Sequence, residues 1–239
     1  MKIYFFDTET TGNTGKDYLC QLAIKELGVD EPVINATFKP VVPIPIESTM
    51  VHGITNKAVA DRPYFDKSPE YKKIKELFED PNNLFIAHNA AFDVQILKND
   101  GIVPANTICT FKVIRILDEE GKFPMHKLQY LRYALEMDLD VPAHDAWGDV
   151  LVLEQLFLYE LEQGKALWNM NDEEVLTEMM RITREPIAFR TFTFGKYKDR
   201  LIEEVASIDI GYLRWLYDQK KQSEQDETDW LHTLEKFLH

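Results

Sequence analysis

Asp7 and Glu9 stand two residues apart at the end of the run KIYFFD, and a strand's period of two turns both carboxylates to one face. Asp93 closes HNAAFD, in the first turn of a helical segment that follows an apolar run, with His88 and Asn89 at the exit of that run. His144 and Asp149 bracket HDAWGD, where a long apolar helix begins. Five residues is not a same-face helical spacing, so His144 and Asp149 converge only if His144 lies on the entering loop. Each piece alone has a plain structural explanation: a solvated acidic turn, a carboxylate complementing a helix dipole, a satisfied near-core histidine. Together, three segments deliver acids at strand ends or helix starts, where sites in α/β sheets form. Four hard oxygen donors suit Mg²⁺ or Mn²⁺, not zinc. Such a cluster is costly without metal, because like charges raise one another's pKa, and two ions about 3.5 to 4 Å apart would relieve it.

The elements that must hold these residues read as a mixed α/β fold. KIYFFD, YLCQLAIKEL and VINATFKP are expected strands, joined by connections too short for crossovers. A proline-spaced loop then delivers Glu47 to His52 into a short helix. Ser68 to Asp80 has a serine in N-cap position, a proline behind it and apolar Tyr71, Ile74, Leu77 and Phe78 at helical spacing. LFIAHN and NTICT are further strands, alternating with the helices AAFDVQILKND and FKVIRILDEE. KLQYLRYAL and DVLVLEQLFLYELEQG complete the region as helices, the second apolar enough to lie across a sheet. From about Ala166 the character changes. NDEEVLTEMMRITREP reads as an acidic-capped helix, TFTFGKYKD as a strand and turn, and Ile210 to Lys221 and Thr228 to Leu238 as helices separated by the acidic spacer SEQDETD.

The chain has 239 residues, 45% hydrophobic, which is ample for one full-sized domain and a smaller companion. Cys20 and Cys109 each sit in an apolar run, without metal-binding spacing, as expected of a protein in a reducing cytoplasm. No stretch reaches the roughly 20 apolar residues of a membrane span. The net charge of −14 argues against a protein that coats duplex nucleic acid by counterion release. It argues less against an enzyme that grips a strand end, where divalent ions neutralise carboxylates and a local basic patch supplies the rest.

DTETTG, HNAAFD and HDAWGD resemble the three motifs of the DEDDh (DnaQ-like) 3′–5′ exonuclease family, and VHGITNKAVADRP and ICTFKVIRIL resemble the family's intervening segments. TFTFGKYKDRLIEEVASIDIGYLRWLYDQK is similar to the carboxy-terminal module of bacterial exodeoxyribonuclease X proteins, so the resemblance spans nearly the whole chain. It implies an RNase H-like mixed sheet flanked by helices over residues 1–165, a helical linker over 166–189 and a small α+β module over 190–239. By the same resemblance Asp7, Glu9, Asp93 and Asp149 would bind two Mg²⁺ ions, with Mn²⁺ as substitute, and His144 would deprotonate the attacking water. Thr10, Thr11, Gly12, His52, His88, Asn89 and Phe92 would contact the terminal nucleotide, although a plain turn explains the first three and a helix cap explains His52. Gln21 departs from the pattern, standing where many members carry a glutamate near the 3′-terminal nucleotide.

The resemblance implies hydrolysis from the 3′ end of DNA, at single-stranded ends or 3′ overhangs, in repair or recombination. RNA trimming by the same chemistry is the alternative within the family, and a silent nucleic-acid or partner-binding module is the alternative outside it. FGKYKDR, with Lys196, Lys198 and Arg200 beside Phe194 and Tyr197, suits single-stranded nucleic acid or an ordinary solvated hairpin. Arg214 and Trp215 are read as part of a core helix, in a stripe with Tyr212, Leu213 and Leu216, and Trp168 to Met180 as an interdomain prop.

Overall fold

A computed structural model describes every residue except 119, 224–226 and 239, so part of the acidic spacer lies outside the described residues. The chain forms two compact units, residues 1–183 and 184–239.

In the first unit, β1 (Lys2–Thr10), β2 (Leu19–Glu26), β3 (Pro32–Thr37), β4 (Asn83–Ala87) and β5 (Thr107–Cys109) form one sheet in the order β3-β2-β1-β4-β5. β1 pairs antiparallel with β2 and parallel with β4; β2–β3 is antiparallel and β4–β5 parallel. The sheet is mixed for the reason the sequence suggests. The connections among β1, β2 and β3 are tight, whereas β4 and β5 arrive after helices.

The alternation along β1 decides what each face carries. Tyr4 and Phe6 join a core with Ile24, Phe78, Phe85, Ile96 and Leu97, built on α2 (Tyr71–Glu79) and α3 (Ala90–Asn99). Phe78 stacks on Phe85 at 4.1 Å between ring centroids, and Phe6 meets Phe78 edge-on at 5.0 Å. Phe5 points the other way, against Phe157 of the 23-residue α6 (Ala146–Trp168), at 5.5 Å. Asp7 and Glu9 share the parity of Phe5 and therefore the α6 face; Thr8 shares that of Phe6. A buried ion pair fixes α6 across the sheet. Lys25 Nζ lies 2.7 Å from Glu154 Oε2, and the Gly28 amide donates to Glu154 Oε1 at 3.1 Å.

The remaining helices of this unit are α1 (Ile46–His52), α4 (Thr110–Leu117), α5 (Leu128–Ala134) and α7 (Asp172–Arg184). In α7, Val175, Met179 and Ile182 are buried at helical spacing. Cys20 and Cys109 are buried free thiols. One local expectation fails. α2 starts at Tyr71, and the Ser68 hydroxyl is buried without a hydrogen-bond partner, because Ser68 Oγ turns inward instead of capping the helix.

The second unit comprises α8 (Ile202–Ile208), α9 (Ile210–Lys221) and α10 (Thr228–Leu238) around Phe192, Ile202, Val205, Leu213, Leu216, Trp230 and Leu234. The strand expected in TFTFGKYKD is a loop closed by a single antiparallel bridge between Thr191 and Leu201, since Gly195 and Asp199 at positive φ turn the chain too soon for a ladder. Trp215 is not in the core either. A helix that buries Leu213 and Leu216 points the two residues between them outward: Arg214 is exposed and Trp215 is 54% exposed. Among the described residues no helix is long and apolar enough to cross a membrane.

Candidate functional site

Because α6 lies on the face that bears Asp7 and Glu9, its first turn brings Asp149 to the end of β1. One carboxylate oxygen from each of Asp7, Glu9 and Asp149 lies within 4.8 Å of the others. Asp93 comes from the opposite layer. It sits in the first turn of α3, buried, and Thr8 Oγ1 donates to its Oδ1 at 2.5 Å. Its charge is nevertheless felt by Asp7 and Glu9.

Each of the four carboxyls holds its proton more tightly than a free one. Burial raises Asp7 well above its usual range, helped by the charges of Asp93, Asp149 and Glu9. Burial, then the charges of Asp149 and Asp93, push Glu9 to about 8. Burial raises Asp93 to about 7 against the opposing hydrogen bond from Thr8. Asp149 is raised by burial, opposed by the nearby His144 and by Gln129. Carboxylates whose ionisation is suppressed by burial, and for Asp7 and Glu9 also by neighbouring negative charge, fit a divalent cation, which favours the ionised forms.

Sequence reasoning missed the groups that hold Asp149 and the loop before it. Gln129, on α5, donates from Nε2 to Asp149 Oδ1 at 2.5 Å. Arg132, one turn on and buried, hydrogen-bonds the backbone carbonyls of Leu139 and Val141. His144 lies on the entering loop, exposed and at φ 59°, as convergence with Asp149 requires. Asp145 caps α6, its Oδ2 accepting from the Gly148 amide at 3.1 Å. Gly148 is needed where it stands: a Cβ there would lie 2.5 Å from the Pro142 carbonyl oxygen, so the loop closes on the helix only over a bare backbone. Gln21, opposite Glu9 in the sheet, donates to Asp145 Oδ1 at 3.0 Å and to Asn35 Oδ1 at 3.2 Å. No residue-type or spacing signal marks Gln129 or Arg132, which sit in an ordinary amphipathic helix.

The other site candidates fall in two places. Thr10, Thr11 and Gly12 form a turn beside the carboxylates. Thr11 Oγ1 donates to Asp17 Oδ1 at 3.2 Å, and Thr10 Oγ1 donates to the Gly12 carbonyl at 2.5 Å. α1 is tied to this turn by Ser48, whose hydroxyl donates to the Thr11 carbonyl, and by His52. The Ile54 amide donates to His52 Nδ1, so Nε2 carries the hydrogen that meets the Thr10 carbonyl at 3.2 Å. Burial lowers the His52 pKa, and the proximity of His144 lowers it further. His88 sits elsewhere in its contacts: its ring nitrogens meet Thr110 Oγ1 at 2.9 Å and the His126 carbonyl at 2.7 Å, and burial brings its pKa down to about 4. Asn89 is exposed at φ 65° and starts α3, and half-buried Phe92 packs against the core.

This geometry can bind a cation beside an exposed histidine and a polar turn, the requirements for hydrolysing a phosphodiester. Comparison with known proteins agrees. The pattern of the Exonuclease family matches residues 4–157, and that of the Exodeoxyribonuclease X-like C-terminal family matches residues 192–221. The chain is 30% identical to Exodeoxyribonuclease 10 of Escherichia coli (strain K12) over 89% of each protein. It is also 30% identical to a DNA polymerase III subunit epsilon-like protein of Rhodobacter capsulatus, over 74% of this chain and 26% of that one. The fold is similar to that of exonuclease X in complex with 5′ overhanging duplex DNA (TM-score 0.58, 23% identity, 76% of this chain and 99% of that one). It is similar too to exonuclease I (TM-score 0.59, 19% identity, 74% of this chain and 42% of that one), which identifies the mixed sheet as RNase H-like. A family pattern that spans well over half of the chain and a relative matched along nearly its whole length give the same answer: the chain belongs to the exonuclease family.

Proposed function

We propose that the chain is a metal-dependent 3′–5′ exodeoxyribonuclease, acting in the cytoplasm on single-stranded ends or 3′ overhangs of DNA in repair or recombination. The observation that carries this reading is the convergence of Asp7, Glu9 and Asp149 in a chain similar along nearly its whole length to an exodeoxyribonuclease. Residues 1–165 supply the chemistry, 166–189 are a helical linker and 190–239 form an accessory module.

Asp7, Glu9, Asp93 and Asp149 would hold two Mg²⁺ ions, or Mn²⁺ in their place. Divalent cations held there would supply Lewis acidity, making bound water more acidic and offsetting charge on the phosphate and the departing 3′ oxygen. His144, exposed on its loop, accepts the proton of the attacking water. Thr8 steadies Asp93, and Gln129 steadies Asp149. The turn Thr10–Gly12 with His52, and His88, Asn89 and Phe92 after β4, would receive the terminal nucleotide. The product is a nucleoside 5′-monophosphate.

The test is nucleotide release from matched 5′-labelled single strands of DNA and RNA, with Mg²⁺ or EDTA, alongside Asp149→Ala. Stepwise shortening of DNA that stops with EDTA and with the substitution supports the reading. Preferential shortening of RNA would move the substrate to RNA, and no cleavage of either strand with Mg²⁺ or Mn²⁺ would overturn the enzyme reading.

A further inference from the structure

The second unit carries an aromatic ladder that runs outward from its core, where Phe192 meets Tyr197 and Tyr212, to an exposed ring. Trp215 stands 54% exposed on α9, its ring 5.5 Å from that of Tyr212 one turn earlier. Tyr212 meets Tyr197 edge-on at 5.0 Å. Above the Tyr197 ring lie the Lys196 ammonium, at 4.6 Å, and the Arg200 guanidinium, at 5.8 Å. The segment from Arg190 to Arg200 holds four cations and one acid in a chain whose net charge is −14.

The inner part of the ladder is tied down by hydrogen bonds. Asp209 binds the turn to the start of α9, accepting from the Tyr197 hydroxyl at 2.7 Å, the Lys196 ammonium at 3.0 Å and the Tyr212 amide at 3.1 Å. Gly195, at φ 76°, lets the turn press on Tyr212, since a Cβ there would sit 2.5 Å from the Tyr212 hydroxyl. Asp209 and Glu204 engage Lys196 and Arg200. Lys198 and Arg214 are exposed and, among the described residues, their side chains have no acidic partner; they adjoin Tyr197 and Trp215 in the chain.

We propose that the Phe194–Lys198 turn and the exposed side of α9 form a docking surface for single-stranded DNA, with a base stacked on Trp215 and phosphates met by Lys198 and Arg214. An exposed indole with an open face suits a base, and positive charge beside it suits the backbone; an apolar protein partner would call for neither cation. The choice of DNA rests on the proposed function above, whereas the stacking and charge arguments do not.

The experiment measures anisotropy of a labelled oligothymidine with the full chain in EDTA, so that no strand is cut. Trp215→Ala should weaken binding about tenfold, while Trp215→Phe, which keeps a stacking face, should stay within about threefold of the native protein. Lys198→Ala with Arg214→Ala should lower the slope of log affinity against log salt by about 1.4, the share of two phosphate contacts on a single strand. The proposal is overturned if Trp215→Ala, folded by circular dichroism and with native melting, binds within about twofold of the native protein, or if Phe weakens binding as much as Ala. Turnover of the nitrophenyl ester of thymidine 5′-monophosphate by the native enzyme with Mg²⁺ reads the catalytic proposal separately, because so small a substrate needs only the carboxylates and His144 of the first unit.

Discussion

The Gln129 amide donates to Asp149 Oδ1 at 2.5 Å, from a helix that also anchors the backbone leading to His144 through Arg132. One short helix thus sets both the orientation of a carboxylate and the course of the loop bearing the histidine. Gln129→Ala should lower the rate of nucleotide release about 10- to 100-fold, the usual effect of removing a group that orients a metal ligand. Metal titration of the rate should show a higher requirement for Mg²⁺ in the variant. Unchanged rate and metal requirement would remove Gln129 from the site.

Stability without metal should fall as pH rises. Glu9 is raised to about 8 and Asp93 to about 7, so the folded protein binds protons more tightly than the unfolded chain. That stabilisation is fully present below the unfolded carboxylate pKa of about 4 and is lost as pH climbs through 7 and 8. Melting temperatures in EDTA should therefore decrease from pH 6 to pH 8.5. Mg²⁺ competes with those protons and should flatten the decline.

Breaking the Lys25–Glu154 pair should be costly. Glu154→Leu leaves the Lys25 ammonium buried without its partner, a change worth about 3 to 5 kcal/mol. Lys25→Met with Glu154→Leu should recover most of that in urea denaturation, because neither charge is then stranded. A double variant no more stable than the single one would show that packing, not charge, is lost.

Gln21→Glu introduces the residue that many relatives carry by resemblance, yet here it would face Asp145 and Glu9 with a negative charge and donate to neither Asp145 nor Asn35. A loss of about 1 to 3 kcal/mol is expected. Denaturation at pH 6 and 8 checks it: the deficit should be larger at pH 8, where the introduced carboxylate is ionised.

The pairing of Asp7 with Glu9 was legible because strand alternation is strict, and the loop position of His144 followed from its spacing to Asp149. Asp93's engagement with Thr8 was not, since it depends on α3 lying on the opposite layer from α6, a matter of topology that no local run encodes. Ser68 and Trp215 mark two other limits. Serine before proline satisfies the pattern of a cap without making its hydrogen bond, and an apolar cluster in a helix includes residues on both sides of the true stripe. Gln129 and Arg132 act through contacts made twenty residues or fewer away, but their residue types carry no chemical signature of their own.

The carboxylates that converge on one point are far apart in the chain of the first unit: two lie on its first strand, the third at the start of α6. A chain emerging from the ribosome therefore has the first two in hand long before the third exists. The site itself therefore cannot assemble until β4, β5 and α6 have been made and docked.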